Sequence, residues 1–364
     1  MTKIKFDNKN PEFFNILKQR VENYFESKNI KSTGNYKLYS KTAILLTALA
    51  LIYIVLVFFT PESALLNVAL CIVLGVDLAA IGFNVMHDGA HGSYSTKKWV
   101  NEAMSYSLNV MGGSSYLWKQ KHNINHHSYT NIEGMDDDID IKPFIRVHAD
   151  QDGKWYHRFQ HIYGLLLYGL TYLFWVFLND FKKYFASRIS DYTPLRKMDL
   201  KEHFIFWITK VGYIGLFLVL PIFFAGLVPT IIGYLITVFV CGLVIAVVFQ
   251  LAHILEDMDF VDTNGTSLKI ETEWAIHQIN TTANFATKSR SMTWLLGGLN
   301  FQIEHHLFPR ISHVHYPQIH KIVKQACEEF NITYKEFPTV ASAVRSHLMH
   351  LKAMGVAPTI VVAA

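Results

Sequence analysis

Four long runs of apolar residues restrict the fold of this chain more than any other feature. They extend from Ala43 to Phe59, Ala64 to Val85, Phe204 to Gly226 and Thr230 to Ala252, and each is long enough to cross a bilayer as a helix. Only 17% of all residues are charged, and the mean hydropathy is +0.19, which is unusual for a soluble domain. The sequence therefore predicts an all-α integral membrane protein.

Charged residues beside these runs predict their orientation. The segment up to Lys41 contains nine Lys or Arg residues and four Asp or Glu residues, whereas the turns at 60–63 and 227–229 contain no Lys or Arg. Because basic flanks stay in the cytoplasm, we expect two hairpins with cytoplasmic ends and both termini in the cytoplasm. Lys210 lies near the start of the third run, and we expect its side chain to reach back to the membrane surface.

A fifth apolar stretch, Ile162 to Leu178, is shorter and contains Gly164 and Gly169. If it crossed the membrane, the histidines near residue 305 would lie on the opposite side from those near residues 87 and 122. We therefore interpret it as an interfacial or re-entrant helix, which leaves four transmembrane helices in two hairpins.

Three short histidine clusters lie next to the apolar runs. They are His87-Asp-Gly-Ala-His91, His122-Asn-Ile-Asn-His126-His127 and Gln302-Ile-Glu-His305-His306. Residues four apart share one face of a helix, so each of the first two clusters can direct two imidazoles at one point. His127 and His306 lie about 100° further round the helix and could reach a second ion. One such pair could arise by chance among eighteen histidines, but three clusters indicate a metal site.

The seven clustered histidines suit iron, zinc, copper or nickel. Because a single zinc ion takes three or four ligands, seven are too many for one ion and about right for two. Two redox metals beside a bilayer indicate oxygen chemistry on a lipid-soluble substrate. A metal transporter is an alternative, but it would place histidines inside the spans along a path. The acidic residues Asp136, Asp137, Asp138 and Asp140 form either a solvated loop or acceptors for imidazole N–H groups.

The clusters resemble, in order and spacing, the three histidine boxes of the integral-membrane fatty acid desaturases, over about residues 40 to 330. The segment Gly297-Gly-Leu-Asn-Phe-Gln302-Ile-Glu-His305-His306-Leu-Phe-Pro309 is similar to the third box of the front-end and linoleoyl-CoA desaturase-like branch, which begins with glutamine. The nearest alternative is a related di-iron hydroxylase or ketolase that acts on a fatty acid, sterol or carotenoid. Its third box usually begins with histidine.

The resemblance implies a di-iron centre (Fe2+/Fe3+) that uses O2 and two electrons to introduce a cis double bond into a fatty acyl chain. It implies as ligands His87, His91, His122, His126, His127, His305 and His306, with a further histidine at the end of the fourth span, where His253 stands. His157 and His161 compete with His253 through their spacing, and His277 is a third candidate. We also consider five residues as outer-shell groups or weak ligands: Gln302, Asp88, Glu256, Asp257 and His277.

The electron donor and the acyl carrier are less defined. Many members of this branch carry a fused cytochrome b5 domain with a His-Pro-Gly-Gly motif, which this sequence does not contain. We therefore expect a separate donor: a ferredoxin, a cytochrome b5 or a flavoprotein reductase. The net charge of +4 comes from membrane flanks and does not indicate a nucleic-acid partner. The sequence leaves open whether the acyl group is carried by CoA, a lipid or a carrier protein, and where the double bond is placed.

We divide the chain into three parts. Residues 1–40 form a cytoplasmic amphipathic segment in which Phe13, Leu17, Val21 and Phe25 recur at helical spacing. This segment lies either on the membrane surface or against the cytoplasmic domain. Residues 41–335 form the membrane desaturase domain, with a cytoplasmic helical cap that carries the boxes, and residues 336–364 form a cytoplasmic tail.

Overall fold

The computed structural model describes residues 4–9, 11–261 and 268–358, and most of them are helical. In chain order the helices are α1 (Glu12–Ser27), α2 (Tyr36–Phe58), α3 (Ala64–His91), α4 (Lys98–Ser105), α5 (Ser107–Val110), α6 (Ser115–Lys119), α7 (Trp155–Ala186), α8 (Leu200–Ala225), α9 (Leu227–His253), α10 (Trp274–Asn280), α11 (Arg290–Leu295), α12 (Gln302–Leu307), α13 (Tyr316–Glu329) and α14 (Val340–Val356). Helix α6 continues directly into a wide π-helical turn, Gln120–His126, and a last turn, His127–Tyr129.

The four predicted runs form helices α2, α3, α8 and α9, in two hairpins. Helix α3 extends past the predicted end at Val85 to His91, and α9 ends at His253, so both helices carry histidines on their last turns. The hairpins approach closely at Gly75, where an added Cβ would lie 2.6 Å from the carbonyl oxygen of Thr237. Small residues at such contacts let membrane helices pack backbone to backbone.

Helix α7 is longer than the interfacial helix predicted from Ile162 to Leu178, and among the described residues it is a fifth helix long and apolar enough to cross a membrane. It packs on α9, where a Cβ at Gly242 would lie 2.7 Å from the carbonyl oxygen of Gly169. Near one end of α7, Gln160 donates to the carbonyl oxygen of Arg146 (2.8 Å). Near the other end, Lys183 donates to Asp137 (2.6 Å). Both ends therefore contact the loop that follows the second histidine cluster.

The amphipathic helix α1 packs against α13 of the cap. Its residues Phe13, Leu17, Val21 and Phe25 are buried in one cluster with side chains of α13 such as Ile319. Arg20 also pairs with Glu329 at 2.6 Å. Of the two placements that the sequence left open for this helix, the structure has the one against the cap.

Two short parallel strand pairs tie distant parts of the chain to the cap. Strand β1 (Ile4–Phe6) pairs with β2 (Leu268–Ile270), and β3 (Asn284–Phe285) pairs with β4 (Glu336–Phe337). The first joins the N-terminal segment to the region after α9. The second joins the region before α11 to the segment that leads into α14.

The segment predicted as a C-terminal tail is packed over its described part. It contains β4 and α14, and Ala343 and Leu351 of α14 are fully buried. The guanidinium of Arg146 donates to the carbonyl oxygens of Met354 (3.1 Å) and Ala357 (2.5 Å). These contacts join the end of α14 to the loop after the second histidine cluster.

The prediction that Lys210 reaches the membrane surface is wrong. Its side chain is 5% exposed and donates to Asp180 of α7 (2.8 Å) and to the carbonyl oxygens of Gly112 and Val176. Asp180 also accepts the backbone N–H of Ser114, the N-cap of α6 (2.9 Å). A charge that is buried away from water needs a partner of opposite charge. Asp180, the partner of Lys210, also fixes the start of α6, the helix that leads into the second histidine cluster.

We expect Lys210→Met to lower the free energy of unfolding by about 3–5 kcal/mol, because it leaves the Asp180 carboxylate buried without a cation. Equilibrium unfolding in detergent micelles measures the difference. Lys201→Met is the matched control, since Lys201 is an exposed residue of the same helix. Equal stability of the two variants would contradict the importance of this ion pair.

Candidate metal centre

Four structural elements bring eight histidines together. The last turn of α3 supplies His87 and His91, the turn after α6 supplies His122, His126 and His127, α9 supplies His253, and α12 supplies His305 and His306. Each of the eight is at least nine-tenths buried. All the sequence-predicted ligands, including the histidine outside the boxes, therefore meet in one buried cluster.

The histidines form two groups. The ligand atoms of His87, His91, His122 and His305 lie within 4.8 Å of one another, and so do those of His126, His253 and His306. His127 lies beside the first group, because its Nε2 is 3.2 Å from Nε2 of His122. A regular helix would turn His127 away from His122, but the π-helical turn over Gln120–His126 brings residues five apart together. The ring centre of His127 is also 4.5 Å from that of His306 in the other group, so the expectation that His127 reaches a second ion stays a prediction.

Six ring nitrogens in the cluster are buried and have no hydrogen-bond partner among the described residues. They are Nε2 of His91, His126, His253, His305 and His306, and Nδ1 of His127. Buried polar atoms are almost always paired, so six unpaired nitrogens in one cluster are the pattern expected of atoms that bind a metal.

The opposite nitrogen, Nδ1, is held from outside in four of these rings, and Nδ1 of His122 is held in the same way. His122 contacts Asp138 (3.1 Å), His126 contacts Asp136 (2.9 Å), and His253 contacts the carbonyl oxygen of Thr281 (3.1 Å). His305 contacts the hydroxyl of Tyr316 (3.1 Å), and His306 contacts the side-chain oxygen of Gln278 (2.8 Å). An acceptor on Nδ1 fixes the ring orientation and leaves Nε2 free as a ligand.

The acidic run after the second cluster is divided between two roles. Asp136 and Asp138 contact imidazoles, as one of the two interpretations of this run predicted. Asp137 pairs with Lys183 and Asp140 with Lys142. The run is therefore neither wholly a solvated loop nor wholly a set of acceptors.

The structure places the other predicted outer-shell residues elsewhere. Glu256 and Asp257 are exposed and make no histidine contact among the described residues. The side chain of Asp88 accepts from Ser312 (2.6 Å) and contacts Nδ1 of His313 (3.0 Å), and His313 in turn contacts Lys41 (3.1 Å). Gln302 is buried at the start of α12 without a hydrogen bond to a histidine among the described residues.

The competing histidines also lie outside the cluster. His277 donates through Nε2 to the carbonyl oxygen of Thr130 (2.9 Å), so its ring faces backbone. His157 has the same kind of contact with the carbonyl oxygen of Pro143 (2.9 Å), far along the loop from the second cluster. Among the candidates outside the boxes, His253 alone joins a group of three histidines in the described part of the chain.

Sequence reasoning missed three groups of the outer layer: Gln278, Thr281 and Tyr316. Gln278 follows the rejected candidate His277, and its side-chain oxygen also accepts from Thr130 (2.9 Å). Thr281 acts through its backbone, which leaves no signal in the sequence. Tyr316 begins α13, and its pairing with His305 depends on the fold of the cap.

Charge in the cluster favours neutral imidazoles as ligands. Burial, followed by repulsion from neighbouring histidines, holds the pKa values of His127, His305 and His306 well below their usual range. For His126 burial also lowers the pKa, but the Asp136 carboxylate outweighs it and the net pKa is raised. A neutral ring offers a lone pair to a metal ion. The histidines with lowered pKa values can therefore bind a metal ion without first losing a proton.

Comparison with known proteins identifies the family. Residues 63–338 match the sequence profile described as fatty acid desaturase. The acyl-lipid (8-3)-desaturase of Physcomitrium patens is 37% identical, over 96% of this chain and 73% of its own length. The sn-1 linoleoyl-lipid 6-desaturases of Synechocystis and Arthrospira platensis are each 38% identical, over 97% and 94% of this chain and 98% and 92% of their own lengths.

These matches confirm the resemblance drawn from the histidine boxes, and they favour desaturation over the hydroxylase or ketolase alternative. The five apolar helices agree with a membrane enzyme, and the two histidine groups agree with the iron dependence of the family. The chain belongs to the fatty acid desaturase family and is an integral-membrane fatty acyl desaturase.

Proposed function

We propose that the two histidine groups each hold one iron ion. The first is held by His87, His91, His122 and His305 with His127 beside them, and the second by His126, His253 and His306. The observation that carries this proposal is the set of six buried ring nitrogens without a hydrogen-bond partner among the described residues. The bound irons would activate O2 for the removal of two hydrogens from an acyl chain.

The residues around the irons hold the ligands and keep out water. Asp136, Asp138, Gln278 and Tyr316 orient imidazoles through Nδ1, so that each Nε2 keeps one direction. Trp118 stacks on His122 with its ring centre 4.3 Å away. A dry, fixed site of this kind lets an oxidising centre act on an unreactive methylene without side reactions.

We propose that the substrate is an acyl chain esterified in a membrane glycerolipid. Relatives that match nearly the whole chain are named as linoleoyl-lipid and acyl-lipid desaturases. The histidines lie at the ends of membrane helices, where a lipid can present its chain without leaving the bilayer. Burial of each methylene is worth roughly 0.8 kcal/mol, which retains a chain firmly. It distinguishes poorly between neighbouring positions, so the shape of the site must select the carbon that reacts.

The histidine side of the membrane is proposed to be cytoplasmic, with four spans and α7 at the interface. The basic flanks of both hairpins support this orientation. The 24 residues from Gln160 to Lys183 rise by about 35 Å, and the loop at 137–146 contacts both ends of this stretch. If α7 crossed the membrane, this loop would cross as well and would carry the partly exposed charges of Asp140 and Lys142 into the hydrocarbon region.

The electron donor is proposed to be a separate protein, since these 364 residues contain no His-Pro-Gly-Gly haem motif. A ferredoxin, a cytochrome b5 or a flavoprotein reductase would each have to approach the cap, which carries two of the four elements around the histidines, the turn after α6 and the helix α12. The cap is therefore the surface at which electrons enter.

Metal analysis of purified protein should find roughly two irons per chain, because each histidine group suffices for one ion. We expect His253→Ala to lose at least half of this iron and nearly all product, while His157→Ala retains most of both. Iron and product are measured on the same preparations by mass spectrometry. Zinc without iron in active protein, or the reverse pattern in the two variants, would overturn the assignment.

The acceptor Asp136 should matter for metal retention. We expect Asp136→Asn to weaken metal binding by about 10- to 100-fold, as loss of an outer-shell partner does elsewhere. Competition with a chelator measures the change. Asp140→Asn is the control, because Asp140 is exposed and pairs with Lys142; similar losses in both variants would mean that charge near the site, not the contact with His126, is responsible.

The carrier is tested by supplying the same isotope-labelled fatty acyl group either as an acyl-CoA or as a glycerolipid in vesicles, with a donor system present. We expect label in the unsaturated product only from the glycerolipid. Mass spectrometry of the intact lipid also locates the double bond and the glycerol position. Faster desaturation of the acyl-CoA under conditions that block acyl transfer would refute the lipid substrate.

Orientation is tested with a short tag inserted beside Pro229 in the turn of the second hairpin. In sealed right-side-out vesicles the tag should be accessible from outside, whereas a tag in the loop at 150–153 should be protected. Protection of both tags would show that the second hairpin is placed wrongly.

A further inference from the structure

A cavity of about 330 Å³ lies between the two hairpins, at the end of the helices farthest from the histidines. It is lined by α2, α3, α8 and α9, with Val57, Cys71, Phe217 and Gly233 among its walls. The cavity is partly open to the surroundings of the helices, because its lining residues Val228 and Ile232 are exposed. An apolar cavity of about 150 Å³ already takes up benzene, so this one has room for a considerably longer hydrocarbon.

The cavity is separate from the metal centre. On α9, its lining residue nearest the histidines is Thr237, sixteen residues before His253, which corresponds to about 24 Å along the helix. On its inner side, the hydroxyl of Tyr234 bonds to that of Tyr213 (2.8 Å), and the ring of Tyr213 packs against Gly112. The tyrosine pair therefore stands between the cavity and the region of the second histidine cluster.

Two polar atoms on the cavity wall have no hydrogen-bond partner among the described residues: Oγ1 of Thr230 and Oδ1 of Asn67. Thr230 is only 7% exposed. Each residue is three positions after the first residue of its helix, in α9 and α3 respectively, so both atoms lie about one turn inside the same membrane face. This is the depth at which the ester and hydroxyl groups of a lipid meet its hydrocarbon chains.

The charges around the cavity restrict the headgroup of a lipid that could bind there. No lining residue of the cavity is charged, and the adjoining turns contain a single charged residue, Glu62. An anionic headgroup would find no cation here. The hydroxyl of Thr230 instead suits an ester carbonyl, which every glycerolipid carries and which accepts from it, whereas Oδ1 of Asn67 can only accept.

We propose that this cavity binds one acyl chain of a membrane lipid with an uncharged or zwitterionic headgroup, as a site distinct from the substrate site. The chain fills the gap between the hairpins, and its ester carbonyl accepts a hydrogen bond from the hydroxyl of Thr230. Because both hairpins line the cavity, the bound lipid holds them together at the end where the histidine cluster cannot.

The proposal is tested by photolabelling without turnover, so the result does not depend on metal, electron donor or desaturase activity. The intact protein is placed in phosphatidylcholine vesicles that contain a trace of phosphatidylcholine with a diazirine at the end of one acyl chain. After illumination, labelled residues are located by mass spectrometry. We expect labels on cavity residues of α2, α3 and α9.

Val57→Phe should fill the cavity and reduce these labels at least threefold. Val73→Phe is the matched control, since Val73 is 51% exposed and does not line the cavity. Thr230→Val keeps the volume, removes the hydroxyl and should also reduce labelling. Labels confined to exposed faces, or unchanged in Val57→Phe and Thr230→Val, would overturn the proposal. Stronger labelling with a phosphatidylglycerol probe than with phosphatidylcholine would overturn the choice of headgroup.

Discussion

The structure depends on the burial of many imidazoles at one point. A buried ring nitrogen without a partner is unfavourable, and six such nitrogens converge here. The arrangement is stable only if the other edge of each ring is satisfied by the protein and the free edge by a ligand. Asp136, Gln278, Tyr316 and the backbone of Thr281 meet the first requirement for four of the six rings. An apolar core in place of these rings would fold more easily, so the cluster is explained by chemistry and not by stability.

Membrane helices supply the rigidity that this cluster needs. Helices α3 and α9 end in His91 and His253, and their backbones are locked together further into the membrane at Gly75. A rotation of either helix would therefore move its histidines as well. The second cluster lacks a span of its own and is fixed instead through Ser114, whose N–H binds the Asp180 carboxylate that Lys210 neutralises. The buried ion pair between Lys210 and Asp180 therefore fixes the position of α6, as the packed hairpins fix the positions of α3 and α9.

The sequence predicts those features that depend on residues close together in the chain. The hairpins, the histidine pairs four apart and the place of His253 at a helix end all follow from local spacing, and the structure brings the predicted ligands together. The sequence does not predict contacts that form only when the cap folds. Gln278 and Tyr316 reach the cluster through folding of distant segments, and Glu256 and Asp257, which are near His253 in sequence, point away because the helix ends at His253. Lys210 was placed wrongly for the same reason, since its partner Asp180 lies thirty residues earlier, on a helix whose position the sequence leaves undefined.

The two ends of the membrane domain differ in the polarity of their side chains. At the histidine end, polar groups are concentrated, and Asp136, Gln278 and Tyr316 each hold an imidazole ring. At the other end the walls are mostly apolar, and a cavity of about 330 Å³ separates the hairpins, where we propose that a lipid chain binds. Selection of a single carbon on a uniform chain requires that the chain be held against a rigid reference. The helices are held together by the histidine cluster at one end and, in our proposal, by a lipid chain at the other. They provide that reference without any polar contact to the carbon that reacts.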